Sequence, residues 1–390
     1  MLYKCMIIVL ATYCNIIFAN DVWIAMEKTV TTAMQESQFK FSYTDEKTDG
    51  IENFYLTSET EFPKISSFIH QKFHRCGGFH VLKSSPDLLR KNINKSQVNL
   101  MDYSINQNSL VTDSMNEIKE DYMNSMVTHL SAYKTRYYKS VEGRDALLWI
   151  GAEWKKLTSH RNDVSMEYYE YKNHEQPTVI LTIKGHNPDL TSEIIILGGH
   201  GDSINTDDTG IHSCSLGADD NAAGIAVLSE ILRIIMLKNY APERTIQFIA
   251  YAAEEEGIQG SYELASVYRE KKINVVGVIQ FDGVNYAGKS YDMALIKDNT
   301  NRAQNKFVAS LIDEYVKVSW TWDKCGYACS DHAAWNYEMY PASYAIEATL
   351  KESNPFIHTE NDTFEKSQNS TNHATAFVRL GLAYLIELDR

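Results

Sequence analysis

The sequence predicts an α/β protein in which a mixed, mostly parallel sheet lies between two layers of helices. Three apolar runs of strand length, at 193–199, 245–252 and 275–281, alternate with amphipathic patterns that predict helices over 221–237 and 260–271. Strands that are apolar throughout are buried on both faces, so the helices must supply the covering layers. The chain has 390 residues, 44% of them hydrophobic, which is enough for one large domain and a smaller attachment.

The remaining elements are predicted on the same grounds. Apolar residues recur at i, i+3 and i+4 over 115–133 and 143–157, which predicts two helices before the first buried strand. Further strands are expected at 292–296 and 340–346, and further helices at 300–318 and 367–388. No internal repeat interrupts this pattern, so we expect a single globular α/β domain.

The charge balance argues against two classes of partner. Lys and Arg number 37 and Asp and Glu number 51, so the formal net charge is −14. Nucleic acids and anionic membranes are bound by basic surfaces, and a chain this acidic is a poor match for either. We therefore expect no nucleic-acid partner and no stable membrane association. No interface pattern stands out, and we expect a monomer.

Residues 1–19 have the pattern of a secretory signal peptide. Lys4 gives a positive start, the run from Cys5 to Phe18 is mostly apolar, and Ala19 is a small residue suited to cleavage. The run is too short for a transmembrane helix, which takes about 20 apolar residues. The alternative is a buried N-terminal helix. We favour the signal peptide, which predicts export and an extracellular location.

The segment 20–107 differs in composition from the rest of the chain. It is rich in Ser, Thr, Asn and Lys, carries no chemical motif, and ends in a polar stretch at 104–110 that suits a linker or a cleavage site. Two interpretations are open, a removable pro-segment and a small permanent domain. We favour the pro-segment, because the segment directly follows the signal peptide. The main domain is then expected to cover 108–390.

Polar residues gather just after the predicted buried strands, where α/β sheets place their sites. His200 and Asp202 follow the first strand two positions apart, so both side chains point to one face and the carboxylate can orient the imidazole. Taken alone, such a pair is more often structural. Asp220 or Asn221 suits the N-cap of the next helix, which leaves the neighbouring Asp219 without a structural explanation.

Further candidate ligands follow the next strands. The run 254–256 consists of three glutamates where the second strand ends, so at least one of them should face a cleft. Asp282 ends the third strand, and His358 lies in a later loop. Imidazoles and carboxylates suit zinc, and two such ions can activate a shared water and polarise a carbonyl. The sequence therefore predicts a two-metal centre formed by His200, Asp219, Glu255, Asp282 and His358.

Six motifs carry a resemblance to a known family. In chain order they are GGHGDS, GADDNAAG, AYAAEEEG, VIQFDGVNY, CGYACSDHAAW and NPFIHT. With these motifs the sequence resembles the secreted two-zinc leucyl aminopeptidases of bacteria, metallopeptidase family 28, over about 108–390. The resemblance implies a zinc-peptidase domain made as a zymogen, with a signal peptide and a pro-segment. It also implies that peptide or protein N-termini are the substrates.

The resemblance implies a role for each matching residue of the metal centre. Each of two Zn²⁺ ions would be held by one histidine, one carboxylate and a shared aspartate. The first set is His200 with Asp282, the second is His358 with Glu255, and the bridge is Asp219. A cis peptide bond would join the bridging residue to Asp220, and Asp202 would orient the ring of His200.

The same resemblance implies residues that face the substrate. Glu254 would be the general base. Cys325 and Cys329 would form a disulfide that lines the pocket, and Tyr327 between them would hydrogen-bond the developing oxyanion. From the residues alone, a metal-binding cysteine pair and a buried packing tyrosine remain alternatives, although export favours the disulfide.

The resemblance also implies which residues form the substrate pocket. They are Gly283, Tyr344, Ile346, Leu350 and Ile357. Relatives of this kind carry a larger apolar residue at the position of Gly283, so glycine should enlarge the pocket. Leucine, phenylalanine, tyrosine, methionine or a long basic side chain would then fit. Glu352 would favour Lys or Arg if it faced the pocket, but we expect it to face water.

The expected function is hydrolysis of the N-terminal residue, leucine or another large one, by water that two zinc ions and Glu254 activate. Three alternatives are kept: a Lys- or Arg-preferring aminopeptidase of the same family, a glutaminyl cyclase-like enzyme, and a non-catalytic binding ectodomain. The complete ligand set and the base argue against the last two, because a cyclase binds one zinc and binding proteins typically lose ligands.

Overall fold

The structure is a computed structural model that describes residues 21–48, 52–73, 77–82, 86, 101, 103–208 and 210–390. The predicted signal peptide, 1–19, lies outside these residues, as does Cys76. Within the described part of the chain, no helix combines the length and apolar character needed to cross a membrane. Two structural units are present, a small N-terminal unit and a large α/β unit.

The N-terminal unit is a four-stranded antiparallel sheet with two helices. Its strands are β1 (Asp21–Glu27), β2 (Asp45–Thr48), β3 (Glu52–Ser58) and β4 (His80–Leu82), and its helices are α1 (Lys28–Glu36) and α2 (Phe62–Phe73). The spatial order is β2-β3-β1-β4. Ile24, Ile65 and Phe79 are fully buried, so the segment folds around an apolar core despite its polar composition.

The large unit is built on an eight-stranded mixed sheet. Its strands are β5 (Val164–Tyr169), β6 (Thr178–Ile183), β7 (Glu193–His200), β8 (Thr245–Tyr251), β9 (Asn274–Phe281), β10 (Met293–Ile296), β11 (Trp320–Asp323) and β12 (Ala342–Ile346). Their order is β11-β10-β12-β9-β7-β8-β6-β5. Strand β7 pairs in parallel with β8 and with β9, and β9 pairs in parallel with β12. Antiparallel pairs, such as β6 with β8 and β5 with β6, lie toward the edges. This confirms the predicted fold class.

Helices cover both faces of this sheet. They are α3 (Asn108–Met115), α4 (Glu120–Leu130), α5 (Val141–Leu157), α6 (Gly224–Leu237), α7 (Gln259–Glu270), α8 (Arg302–Leu311), α9 (His332–Tyr337) and α10 (Thr375–Leu388). Short helical turns lie at Glu59–Glu61, Ala218–Ala223, Ile312–Val316 and Phe364–Ser367. Helix α5 begins at Val141, two residues before its predicted start, because the Ser140 hydroxyl caps it by accepting from Gly143 N–H at 2.9 Å.

Alternate residues of the central strand point into two separate cores. Ile195 and Leu197 of β7 join the core under α5, α6 and α10, whereas Ile196 joins the core under α7 and α9. Burying an isoleucine or leucine side chain fully stabilises the fold by roughly 1.5–3 kcal/mol. The apolar run at 193–199 is therefore a strand buried on both faces, as its composition predicts.

Two predicted boundaries differ from the structure. The helix expected over 115–133 is the shorter α4, Glu120–Leu130, and α3, which was not predicted, ends at Met115. The polar stretch expected to be a linker is anchored to the large unit, because Asn106 and Gln107 both donate from their backbone to Glu387 at 2.9 Å. Contacts with the large unit therefore begin before residue 108, and Met101 already packs against its main core.

The N-terminal unit packs on the large unit at the segment 325–329. Gly78 N–H donates to Ala328 O at 2.8 Å, and Val81 N–H donates to Gly257 O at 3.1 Å. The Phe73 and Tyr327 rings lie 5.5 Å apart, and both belong to one apolar cluster that joins the two units. The N-terminal unit therefore sits over the loops that follow the strands of the large sheet.

Candidate metal centre

Three parallel neighbours, β8, β7 and β9, bring polar side chains together where they end. His200 is the last residue of β7, Glu254 and Glu255 follow β8 by a few residues, and Asp282 directly follows β9. The carboxyl ends of parallel strands meet at one edge of a sheet, which places these side chains beside one another. His358 reaches the same place from a loop before α10.

One aspartate lies between the two histidines. Asp220 Oδ1 is 3.1 Å from His200 Nε2, and its Oδ2 is 3.1 Å from His358 Nε2. On the outer side, His358 Nε2 is 2.9 Å from Glu255 Oε2 and His200 Nε2 is 3.4 Å from Asp282 Oδ1. All five side chains are at most 3% exposed. The arrangement is therefore two His–carboxylate pairs joined by a shared carboxylate.

The shared carboxylate is Asp220, so the prediction of Asp219 as the bridge is wrong by one residue. The Asp219 carboxylate turns the other way and accepts from Asn285 N–H at 2.9 Å and from Asn354 Nδ2 at 3.1 Å. The cis peptide bond correspondingly joins Asp220 and Asn221. In the turn that leads into α6, the Asn221 side chain accepts from Gly224 N–H at 3.1 Å, so this contact does not occupy Asp220.

The donor atoms of this cluster fit a divalent cation. Ligand atoms of His200, Asp220 and Glu255 lie within 4.8 Å of one another. Within the described residues, neither oxygen of Asp220 or of Glu255 has a well-aligned hydrogen-bond donor, although imidazoles lie close by. Buried carboxylates without donors are costly unless a cation satisfies them. Imidazole and carboxylate donors are suited to zinc.

Burial and mutual repulsion perturb the acids of the centre. Burial, together with the charge of Asp220, raises the pKa of Glu255 to about 7. Burial alone would lower the pKa of His358, but the carboxylates of Glu255 and Asp220 raise it to about 10. Burial also raises the pKa of Glu254 well above its usual value. In the metal-free centre, bound protons therefore offset the negative charge of the carboxylates, and binding of a cation would release these protons.

Asp202 supports more of the centre than the sequence indicates. Its Oδ1 lies 3.4 Å from His200 Nδ1, on the side of the ring that faces away from the cluster. Its two oxygens also accept from the backbone N–H groups of Glu254 and Glu255, each at 3.1 Å. One buried carboxylate thus fixes the orientation of a histidine and of the turn that carries two glutamates.

Glu254 stands beside the cluster with its carboxylate unengaged. The side chain is fully buried, and neither oxygen has a hydrogen-bond donor among the described residues. Its backbone, in contrast, is held by Asp202 as described above. A carboxylate with a raised pKa and a fixed backbone is suited to accept and return a proton.

Three supporting residues were not predicted from the sequence. Ser330 Oγ donates to Asp282 Oδ2 at 2.6 Å, and Gln280 Nε2 donates to Ser330 Oγ at 3.1 Å. Asp362 accepts from the backbone N–H of Asp220 at 3.0 Å. Ser330 lies in the motif CGYACSDHAAW, but nothing in its spacing tells a serine that orients a ligand from one that packs.

A pocket opens beside the shared aspartate. It is lined by Asp220, Asp282, Gly283, Cys325, Cys329, Tyr344, Ile346, Glu347, Leu350, Ser353, Asn354 and Ile357. The five predicted wall residues are all among them, and Cys325 and Cys329 are joined by a disulfide. Glu352 instead accepts from Ser290 N–H at 2.9 Å and from its hydroxyl at 2.8 Å, outside the pocket.

Helix α2 of the N-terminal unit covers this site. The ring of His70 lies 4.9 Å from the ring of His358, and Ser66 Oγ donates to Glu255 O at 3.4 Å. Tyr327 is only 1% exposed, because Phe73 packs against it. The metal centre and the pocket are therefore covered by the chain itself.

Comparison with known proteins identifies the family. A family model described as peptidase family M28 matches residues 178–383, more than half of the chain. The matched range contains every residue of the cluster described above. The chain belongs to peptidase family M28 and is a zinc-dependent peptide hydrolase.

Individual relatives agree with this assignment. A probable aminopeptidase of Saccharomyces cerevisiae is 30% identical over 73% of this chain and 77% of its own. Leucine aminopeptidase 1 of Fusarium vanettenii is 28% identical over 80% of each chain. The crystal structure of the LapA aminopeptidase of Legionella pneumophila is 25% identical, covers 95% of this chain and 98% of its own, and superimposes with a TM-score of 0.82. The predicted resemblance to the M28 aminopeptidases is confirmed.

Proposed function

We propose that this chain is an exported aminopeptidase that removes a large apolar N-terminal residue from peptides with the help of two zinc ions. The observation that carries the proposal is the position of Asp220, with one oxygen facing each of His200 and His358 at 3.1 Å. His200 with Asp282 would hold one ion, and His358 with Glu255 the other. Bound zinc supplies Lewis-acid activation of the attacking water and of the scissile carbonyl.

Proton transfer falls to Glu254. Its buried carboxylate takes a proton from the attacking water and returns it to the leaving amine, a task that its raised pKa suits. Tyr327 would donate its hydroxyl proton as a hydrogen bond to the developing oxyanion. This role requires the substrate to reach Tyr327, which the N-terminal unit covers.

The pocket favours a large apolar side chain over a basic one. A Cβ added to Gly283 would meet its nearest neighbour, Ile346, only at 3.6 Å, so glycine leaves space in the wall. Glu347, the acid of the pocket lining that is not a proposed metal ligand, already accepts from the backbone N–H groups of Asn285 at 3.0 Å and Asn354 at 2.8 Å. Leucine is consistent with the names of the relatives, and the space at Gly283 suits phenylalanine as well.

The N-terminal unit is proposed to be an inhibitory pro-segment. Its α2 lies over the metal centre and the pocket, so a peptide cannot enter while the unit is docked. Cleavage between the units, before Met101, would allow it to leave. Export through the signal peptide is supported by the disulfide, since such bonds persist in oxidising compartments.

A panel of aminoacyl p-nitroanilides tests the proposal. Residues 20–390 would be assayed before and after limited proteolysis, with and without a chelator, on Leu, Phe, Met, Lys and Arg substrates and an N-acetylated leucine control. We expect chelator-sensitive release from Leu and Phe, none from the acetylated substrate, and a rise after proteolysis. A chain that binds two zincs but releases no p-nitroaniline would instead be a non-catalytic binding protein. A chain that cyclises N-terminal glutamine and releases no p-nitroaniline would be a glutaminyl cyclase-like enzyme.

A further inference from the structure

A buried arginine lies beside the metal centre without being part of it. Arg136, between α4 and α5, is 0% exposed. Its guanidinium donates to four backbone carbonyls, those of Gly201 at 2.9 Å, Leu130 at 3.1 Å, Gly217 at 2.8 Å and Leu216. Within the described residues, none of its hydrogen bonds goes to a carboxylate. Burying a guanidinium costs several kcal/mol, so the burial of Arg136 needs an explanation.

The carbonyls that Arg136 holds belong to the two loops that carry the centre. Gly201 lies between His200 and Asp202, and Gly217 begins the turn that leads to Asp220. Gly217 has a φ of +52°, and a Cβ there would lie 2.7 Å from Arg136 Nη2, so the turn and the guanidinium fit without space for a side chain. One planar group thus joins the histidine loop to the aspartate turn.

A second set of contacts holds Arg136 in place. Its backbone N–H donates to Ser203 Oγ at 3.1 Å, and this hydroxyl donates to Ser215 O at 2.7 Å. Thr135 and Ser215 also form an isolated parallel bridge. The arginine is therefore fixed by the same loops that it joins, which makes its geometry stiff.

We propose that Arg136 is a positioning residue that holds His200 and Asp220 at the separation needed to bind metal. The fork of five N–H donors ends on neutral carbonyls in fixed directions, so it can set the separation of the two loops. The charge of Arg136 also acts on the nearby carboxylates of Asp202, Asp220 and Glu255. Substitution by lysine keeps the charge and removes the fork, since an ammonium cannot reach carbonyls on three sides. The inference rests on the metal centre of the proposed function.

Zinc affinity of the Arg136→Lys variant tests this proposal. Zinc binding to the intact chain would be measured by competition with a chelator of known affinity, and the cobalt-substituted protein would be examined by its d–d absorption. Loss of an outer-shell partner typically lowers metal affinity about 10–100-fold, and we expect a loss in this range with shifted cobalt bands.

Arg244→Lys is the matched control. Arg244 directly precedes β8, is also buried and donates to the backbone carbonyls of Leu388 at 3.1 Å and Arg390 at 2.7 Å. It differs from Arg136 in also donating to the Glu193 carboxylate at 2.6 Å, and it lies at the amino end of the central strands, away from the centre. Both variants should lose thermal stability, whereas only Arg136→Lys should lose zinc affinity. Equal affinity in wild type and Arg136→Lys, or equal losses in both variants, would overturn the proposal.

A milder variant keeps the proposal testable if Arg136→Lys fails to fold. Ser203→Ala removes the hydroxyl that joins the Arg136 backbone to Ser215, without changing the guanidinium. We expect its zinc affinity to fall by less than the about 10–100-fold that is typical for loss of an outer-shell partner, and an unchanged affinity would count against the proposal. A wild-type chain that binds no zinc would instead refute the proposed function, so the two failures are distinguishable.

Discussion

Substitution of Gly77 by alanine tests whether the N-terminal unit inhibits the enzyme. Gly77 has a φ of +72°, and a Cβ there would overlap the carbonyl oxygen of Ala328 and lie 3.2 Å from Cys329 Cα. Both neighbours are backbone atoms of the segment held by the disulfide, so they cannot move aside easily. The N-terminal unit must therefore shift away from the pocket.

The size of this effect follows from two terms. Overpacking costs about 1–3 kcal/mol, and the neighbouring hydrogen bond from Gly78 N–H to Ala328 O, 2.8 Å long, contributes about 1 kcal/mol more if it is lost. Docking would thus weaken by about 2–4 kcal/mol, which raises the ratio of undocked to docked chain roughly 30- to 700-fold.

The assay is hydrolysis of leucine p-nitroanilide by the uncleaved chain. We expect Gly77→Ala to raise its activity many-fold toward that of the proteolysed enzyme, which itself stays unchanged. Gly326→Ala is the control, because Gly326 also has a positive φ, +85°, but a Cβ there meets nothing within 4 Å. Uncleaved Gly77→Ala with wild-type activity, or an equal rise in Gly326→Ala, would refute the inhibitory role.

Three further predictions concern the base, pH and the pocket. Glu254→Gln should lower kcat about 10²–10⁴-fold at unchanged zinc content. Glu256→Gln, the control, should leave kcat unchanged. Wild-type activity of Glu254→Gln at equal zinc content would exclude Glu254 as the base. Burial lowers the pKa of His80, which lies 3.9 Å from Glu52 and against two tyrosine rings, to about 3. Docking is therefore strongest above the ordinary pKa of 6.5 and weakens as the pH falls toward 3. At pH 5 the free energy of docking is weakened by at most about 2 kcal/mol, which is measurable as faster proteolysis between the units. A His80→Gln variant with the same pH dependence of proteolysis would contradict the role of His80. Gly283→Ala narrows the wall toward Ile346, 3.6 Å from the new Cβ, and should lower kcat/KM for phenylalanine relative to leucine severalfold; an unchanged ratio would remove Gly283 from the pocket wall.

The central sheet and the site at its carboxyl edge were predictable because strands buried on both faces have an apolar composition. Strands β7, β8 and β9 are apolar throughout, and polar residues at their ends can only meet at the carboxyl edge. His200, Glu255 and Asp282 follow from this rule. Strands β5, β6 and β11 were not predicted. β5 and β11 are only partly buried, whereas β6 is buried at five of its six positions, so exposure does not explain why β6 was missed.

The sequence does not show whether Asp219 or Asp220 is the shared carboxylate, and the reason is local. Both acids precede the same helix, and which of them faces the histidines depends on backbone angles at Asp220 and Asn221 that no residue pattern encodes. Asp219 is instead satisfied by Asn285 and Asn354, which are distant in the chain. Arg136 was missed likewise, because its partners are carbonyls and leave no trace in side-chain spacing.

The zinc content of two neighbouring variants tests the central claim most directly. Asp220→Asn removes the carboxylate that faces both His200 and His358 at 3.1 Å, and Asp219→Asn changes its neighbour, which faces away. Two zincs per chain are expected in the wild type and in Asp219→Asn, and fewer in Asp220→Asn after dialysis against a weak chelator. Two tightly held zincs in Asp220→Asn, or their loss in Asp219→Asn alone, would contradict a centre built on Asp220.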